Sequence, residues 1–278
     1  MPRLIKLSLI PIIIAIICLL YGFLIELKML KIRQVNITPN GYQGPNLRIA
    51  LLSDIHIGGA HVSADRVEAI VARVNALKPD IVLMPGDFID GHVKRPDHSD
   101  AFNAEIENGL SKLASLNAPM GAFASIGNHD VWYDAEFVSR ALSKAGIRVV
   151  RNQALNIPEN ICIAGLADHD TQSEDRGAFN ACAENSYLIA MMHSPDSFPY
   201  LRSDAVLAVA GHTHGGQINL PFIGRRVTAT QAGHKYAYGL VDVNGVTAFI
   251  TAGIGTSILP ARFRSPPEIV LIKLSSRL

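Results

Sequence analysis

The sequence predicts an α/β layered domain behind one membrane-spanning helix. Three observations carry this. Short apolar runs alternate with amphipathic helical patterns from Leu47 onward, which is the signature of sheets covered by helices. Apolar residues make up 49% of the 278 and charged residues 18%, enough for a core that needs no staples. The amino terminus carries 19 uncharged residues, Leu7 to Ile25, dominated by Ile and Leu; a helix needs roughly 20 such residues to cross the hydrocarbon core.

Taken in order, the elements divide into residues 1–31, a membrane anchor with its flanks, and 32–278, a catalytic domain. The apolar run is longer than a typical signal-peptide core, and Tyr21–Ile25 offers no small-residue cleavage site, so it reads as an uncleaved anchor rather than an exported, cleaved signal. Arg3, Lys6 and the terminal amine precede it, and Lys28, Lys31 and Arg33 follow it. The flanking charges balance, so the positive-inside comparison assigns no side. Ile32–Thr38 reads as a first strand and Arg48–Leu52 as a short apolar run after it. Ser63 is placed to cap a helix whose Val67, Ile70, Val71, Val74 and Leu77 share a face. Further helical patterns cover Ala104–Leu116 and Ala135–Ala145, the second with Asp134 as cap; 97–103 is polar and reads as a loop. Ile81–Met84, Gly121–Ser125, Ile161–Leu166, Tyr187–Met192 and Ala205–Ala210 read as buried strands, and 227–273 as strand-rich.

Net charge is +1, and no basic stripe prepares the chain for nucleic acid. Cys18, Cys162 and Cys182 are too sparse for a disulfide framework. They read as buried thiols packing as small hydrophobes, with a Cys162–Cys182 bridge the alternative.

Polar residues repeatedly stand just past an apolar run: Asp54 and His56 after Leu51-Leu52, Asp87 after Ile81–Met84, Asn128-His129-Asp130 after Phe123–Ile126, His193 after Ile189–Met192, and His212 and His214 after Val206–Ala210. Carboxyl ends of strands in an α/β sheet line one edge, so these positions converge. In Asp54-x-His56 and His212-x-His214 the alternation of an extended chain aims both side chains one way. Carboxylate with imidazole suits borderline divalent ions such as Mn, Fe or Zn. Each pair alone is weak evidence; five in order at five strand ends are not.

The order Asp54-x-His56, Gly86-Asp87, Gly127-Asn128-His129-Asp130, His193, Gly211-His212-Thr213-His214 resembles the calcineurin-like metallophosphoesterase family over roughly Leu47 to Leu274. The resemblance implies a four-layer α-β-β-α sandwich of two mixed β-sheets and two divalent metal ions. It implies that Asp54, His56 and His214 hold one metal, that Asn128, His193 and His212 hold the other, and that Asp87 bridges. His129 would stand off the metals near the leaving group, oriented by Asp130. A metal-bound hydroxide, formed near neutral pH because the metal lowers the water's pKa toward roughly 7, would attack phosphorus in line. The family's protein phosphatases carry Asp-Arg-Gly after the second motif, whereas this chain reads Asp87-Phe88-Ile89-Asp90-Gly91, so a phosphoprotein is not the expected substrate.

Gly211–Pro221 and Gly253–Glu268 resemble the family's membrane-associated bacterial branch, which includes phosphodiesterases and a UDP-2,3-diacylglucosamine pyrophosphatase. That implies the inner (cytoplasmic) membrane and a phosphodiester or pyrophosphate substrate that is membrane-associated or lipid-linked; a broad phosphomonoesterase is the alternative. Arg262 and Arg264, two apart, are candidates to hold a second phosphate, with Arg225 and Arg226 behind them.

Overall fold

The computed structural model describes the backbone of residues 2–276 and side chains from Leu9 onward. Helix α1 (Pro2–Leu20) runs through the apolar segment, and its last turns, Tyr21–Ile25 and Glu26–Lys28, widen and then tighten. From Leu9 to Lys28 the chain is long and apolar enough to cross a membrane, and most of it is uncovered by protein. The end of the segment is covered. Gly22, Glu26 and Leu27 are buried against the domain, so the apolar helix meets the domain at its carboxyl end.

Strands β1 (Lys31–Ile37) and β2 (Leu47–Leu51) lead into helix α2 (Ala64–Ala76). Ser63 caps α2, its Oγ accepting the Arg66 N–H at 3.3 Å. Strand β3 (Ile81–Pro85), helix α3 (Asp100–Lys112), strand β4 (Gly121–Ser125), helix α4 (Asn128–Lys144) and strand β5 (Arg148–Val149) follow. The second half has no α-helix among the described residues, and between loops and short 3-10 turns it places β6 (Gln153–Ile157), β7 (Ile161–Gly165), β8 (Tyr187–Met191), β9 (Leu207–Ala210), a short hairpin β10 (Asn219–Leu220) and β11 (Gly224–Arg225), then β12 (Gly239–Val243), β13 (Val246–Ile250) and β14 (Glu268–Leu274).

Two helices start earlier than the sequence suggests. Ser99 accepts the Phe102 N–H and starts α3 inside the expected 97–103 loop. Helix α4 begins at Asn128 and kinks at Asp134, whose backbone is extended (φ −178°) and whose Oδ1 accepts the Phe137 N–H. The expected cap at Asp134 is real but restarts a helix already running.

Two six-stranded sheets form, ordered β1-β14-β2-β3-β4-β5 and β12-β13-β9-β8-β7-β6. Both are mixed: β14 runs antiparallel to β2, while β2 through β5 are parallel; β7, β8, β9 and β13 are parallel, with antiparallel β6 and β12 at the edges. Strand alternation sorts the core. Ile49, Leu51, Ile81, Leu83 and Phe123 meet Ile163, Ile189, Met191 and Val209 between the sheets. Ala50, Leu52, Val82, Met84 and Ala124 pack under α2, α3 and α4. The outer face of the second sheet is covered by short 3-10 turns carrying Phe179, Phe198 and Tyr236.

Cys162 and Cys182 are joined by a disulfide, their Cα atoms 5.7 Å apart, which corrects the reading of them as free buried thiols. Spacing in sequence did not show that a turn after β7 returns Cys182 over the strand. The bridge closes a loop of 20-residue separation, for which loop entropy gives about 3 kcal/mol. Replacing both cysteines with alanine is expected to lower unfolding free energy by about that much in denaturant titration, with turnover per folded molecule unchanged.

Candidate metal centre

Every expected ligand arrives from the carboxyl end of a strand. Asp54 and His56 follow β2, Asp87 follows β3, Asn128 opens α4 after β4, His193 follows β8, and His212 and His214 follow β9. The first three strands belong to one sheet and the last two to the other, so the site sits where the two sheets' edges meet.

The seven side chains come together in one cluster. His56 Nε2 lies 3.2 Å from His214 Nε2, which is 3.7 Å from Asp54 Oδ1. His193 Nε2 lies 3.1 Å from both Asn128 Oδ1 and His212 Nδ1. Asp87 Oδ2 stands between the groups, 3.6 Å from His56 Nε2 and 3.3 Å from His193 Nε2. Ligands about 2.1 Å from one ion stand roughly 3.0–3.4 Å from each other, so the spacing fits shared cations. Charge points the same way. Asp54 and Asp87 are fully buried and, among the described residues, meet only imidazoles within ion-pair distance. Buried carboxylates without a cation are costly.

The backbone is held in an unusual state to do this. Asp54, His56, Asp87, His212 and His214 all have positive φ, between 50° and 67°. Left-handed non-glycine residues are strained and gather at functional sites. Gly86 and Gly211 permit the close approach. A Cβ on Gly86 would stand 2.8 Å from His193 Nδ1, and one on Gly211 would collide with the Ser53 hydroxyl.

The surroundings set proton positions. His193 Nδ1 lies 2.7 Å from the Pro85 carbonyl. An N–H there donates to that oxygen and turns Nε2 toward the cluster. Burial works against protonation of His193, but the Asp87 carboxylate overrides it and holds the imidazole well above its usual range. Burial pushes His129 down to about 4, against the pull of Asp87, so this imidazole is neutral. Its Nδ1 is buried without a hydrogen-bond partner, and its Nε2 lies 3.4 Å from Ser257 Oγ.

Asp130 does not touch the His129 ring. Its carboxylate accepts the N–H groups of Asp87, Phe88, Ile89 and Gly127 at 2.9–3.2 Å. Burial and the neighbouring Asp87 push it up to about 7, against those donors. Its work is to clamp the loop that carries Asp87, and this corrects the expectation that it orients His129.

Arg262 and Arg264 are also placed differently from expectation. The Arg262 guanidinium is fully buried and spends its donors on the carbonyls of Ala252, Gly255 and Ser265, with His214 Nδ1 at 3.5 Å. An arginine saturated by backbone holds a loop, not a phosphate. Arg264 is exposed and outside the cavity lining, and Arg225 donates to the Gly215 carbonyl. Arg226 is the arginine on the cavity wall.

Sequence reasoning missed several neighbours. Asp170 Oδ2 lies 3.5 Å from His212 Nε2, and Asp90 Oδ1 lies 3.7 Å from His56 Nδ1. At these distances each carboxylate attracts its imidazole electrostatically, without a hydrogen bond. Asp90 follows Asp87 closely and could have been suspected; Asp170 sits in a loop without local signal. The cluster opens into a cavity of about 600 Å³ whose walls include Trp132, Ile218, Leu220, Val227, Ile258 and Leu259.

Fold and site together define a two-sheet α/β phosphoesterase with clustered metal-donor side chains where the sheet edges meet. The family model for calcineurin-like phosphoesterases matches residues 47–216. An uncharacterized metallophosphoesterase of Bacillus subtilis, YkuE, is 31% identical over 248 residues, covering 87% of this chain and 82% of its own. The phosphodiesterase YaeI of Escherichia coli is 29% identical over 232 residues, covering 82% of each. A 5'-nucleotidase precursor from Thermus thermophilus shares the fold, with a TM-score of 0.50, 14% identity, and coverage of 82% of this chain and 55% of that one. The chain belongs to the calcineurin-like phosphoesterase family, and it is a metallophosphoesterase.

Proposed function

We propose that this enzyme hydrolyses a phosphodiester or pyrophosphate bond in a membrane-associated, lipid-linked substrate. The observation that carries the reading is the cavity: Asp87, Asn128, His212 and His214, four of the seven metal-donor side chains, form its floor and apolar side chains form its walls. Such a pocket matches a molecule with a phosphate at one end and hydrocarbon at the other. The phosphodiesterase activity named for YaeI supports a diester.

Asp54, His56 and His214 would hold one divalent ion and Asn128, His193 and His212 the second, with Asp87 shared; the donor set suits Mn, Fe or Zn. Two such ions supply charge neutralisation at the phosphoryl oxygens and water activation near neutral pH. The protein does the rest. Asp130 holds the Asp87 loop in place. His129 presents a neutral imidazole at the cavity floor, where an N–H stabilises negative charge developing on a leaving oxygen. Arg226 is the cationic side chain available to a second phosphate.

The Cys162–Cys182 disulfide favours a domain on the oxidising side of the membrane. That counts against the UDP-linked substrate of lipid A synthesis, which requires a cytoplasmic domain. The test is a comparison of metal-loaded full-length enzyme on acylated phosphodiesters and pyrophosphates, their deacylated counterparts, and phosphomonoesters. A clear preference in kcat/KM for the acylated diester or pyrophosphate is expected. Equal rates with and without acyl chains would refute the lipid reading.

A further inference from the structure

Outside the anchoring helix, exposed large apolar residues are concentrated at the cavity mouth. The hairpin β10–β11 and the residues after it present Leu220, Phe222, Ile223 and Val227; the loop opposite presents Ile258 and Leu259. Phe222 is 109% exposed, Ile258 93% and Val227 76%. A soluble surface does not normally hold so many large apolar tips together. Phe222 and Ile258 also have positive φ, so each stands at the crest of a turn.

These crests are wired to the anchor. The Asn219 N–H donates to the Phe263 carbonyl, and the Phe263 N–H to the Gln217 carbonyl, so the hairpin's root pairs with residue 263. Phe263 packs edge-on against Tyr21 of the anchor at 6.2 Å. Beside it the Arg262 N–H donates to the Gly22 carbonyl, and Glu26 accepts the N–H groups of Arg264 and Ser265 at 2.8 and 2.7 Å. A Cβ on Gly22 would stand only 3.0 Å from the Arg262 carbonyl, which is how the backbones approach so closely. One stretch, 257–265, therefore supplies a cavity wall, an apolar crest and the seat of the membrane helix.

We infer that the hairpin 219–227 and the loop 257–259 form a lip that dips into the leaflet from which the anchor emerges, so that an amphiphile enters the metal site sideways from the bilayer. The occupant is the lipid surface because the anchor's apolar helix ends against the segment that carries the lip. The inference rests on the membrane-anchored reading above and deepens it.

The test uses the full chain in nanodiscs of phosphatidylglycerol with phosphatidylcholine brominated on its acyl chains. Trp132 is the chain's single tryptophan, so Trp132→Phe gives a silent background. Into it go Phe222→Trp at the lip and Glu184→Trp before β8, at the opposite end of the strands from the site. Bromolipid is expected to quench the residue 222 probe several-fold more than the residue 184 probe. Equal quenching overturns the lip. Emission at 222 that is shifted to the blue yet unquenched marks a protein partner, such as a second copy, and overturns it too. A second arm pairs Phe222→Asp with Ile223→Asp, neither of which lines the cavity. Hydrolysis of an acylated diester presented in vesicles is expected to fall about tenfold, with bis-p-nitrophenyl phosphate turnover unchanged. The two readings fail separately: quenching at 222 without acyl preference sinks the substrate assignment and leaves the lip, whereas acyl preference without quenching does the reverse.

Discussion

Asp87→Asn abolishes turnover, with kcat down by at least about 10³-fold. The change keeps the shape of the side chain and removes its charge. Among the described residues, Asp87 is the only carboxylate within ion-pair distance of both His56 and His193, the histidines of the two proposed metal groups. An amide puts a donor where a shared anion is needed, and two cations at close range are then unscreened from each other. The Asp87 backbone N–H keeps its bond to Asp130, so the fold is expected to survive with an unchanged circular-dichroism melt. Metal content measured by elemental analysis is expected to fall below two per chain. Near-normal turnover with two metals retained would remove Asp87 from the bridging position.

His129→Gln lowers kcat by about 10²–10³-fold while leaving two metals per chain. The distinction is sharp because the geometry permits another outcome. His129 can offer a nitrogen close to a His56 nitrogen and an Asp87 carboxylate oxygen, so it could itself gather a cation. Its placement argues otherwise: the ring lies among His56, His92 and Trp132 at centroid distances of 4.7–4.8 Å, on the cavity side of the cluster. Loss of metal in the variant would make His129 a ligand. A fall in kcat with KM and metal content unchanged is the signature of a group acting on the leaving oxygen.

The convergence of the site was legible because it depends on strand ends, and strands here are short, apolar and unbroken. Once Leu51, Met84, Ile126, Met192 and Ala210 are read as buried strand residues, Asp54, Asp87, Asn128, His193 and His212 fall on one edge. Roles that depend on where a long side chain turns were not legible. Arg262 and Arg264 alternate as if both faced the site, yet Arg262 is drawn inward by three carbonyls of its own loop, and Arg264 has a left-handed backbone that breaks the alternation. Asp130 follows His129 directly and reads as its partner. On the first turn of α4, however, consecutive residues point apart, and its carboxylate reaches the four N–H groups around Gly127 and Asp87. The disulfide was hidden for a similar reason, since spacing does not reveal which turn folds back over a strand.

In the proposed centre two metal ions share Asp87 at the meeting edge of the two sheets. Anomalous diffraction from crystals of the metal-loaded enzyme tests it most directly. Two peaks roughly 3.5–4 Å apart are expected, one beside Asp54, His56 and His214, the other beside Asn128, His193 and His212, with the Asp87 carboxylate between them. A single peak, or two peaks that do not share Asp87, would contradict it.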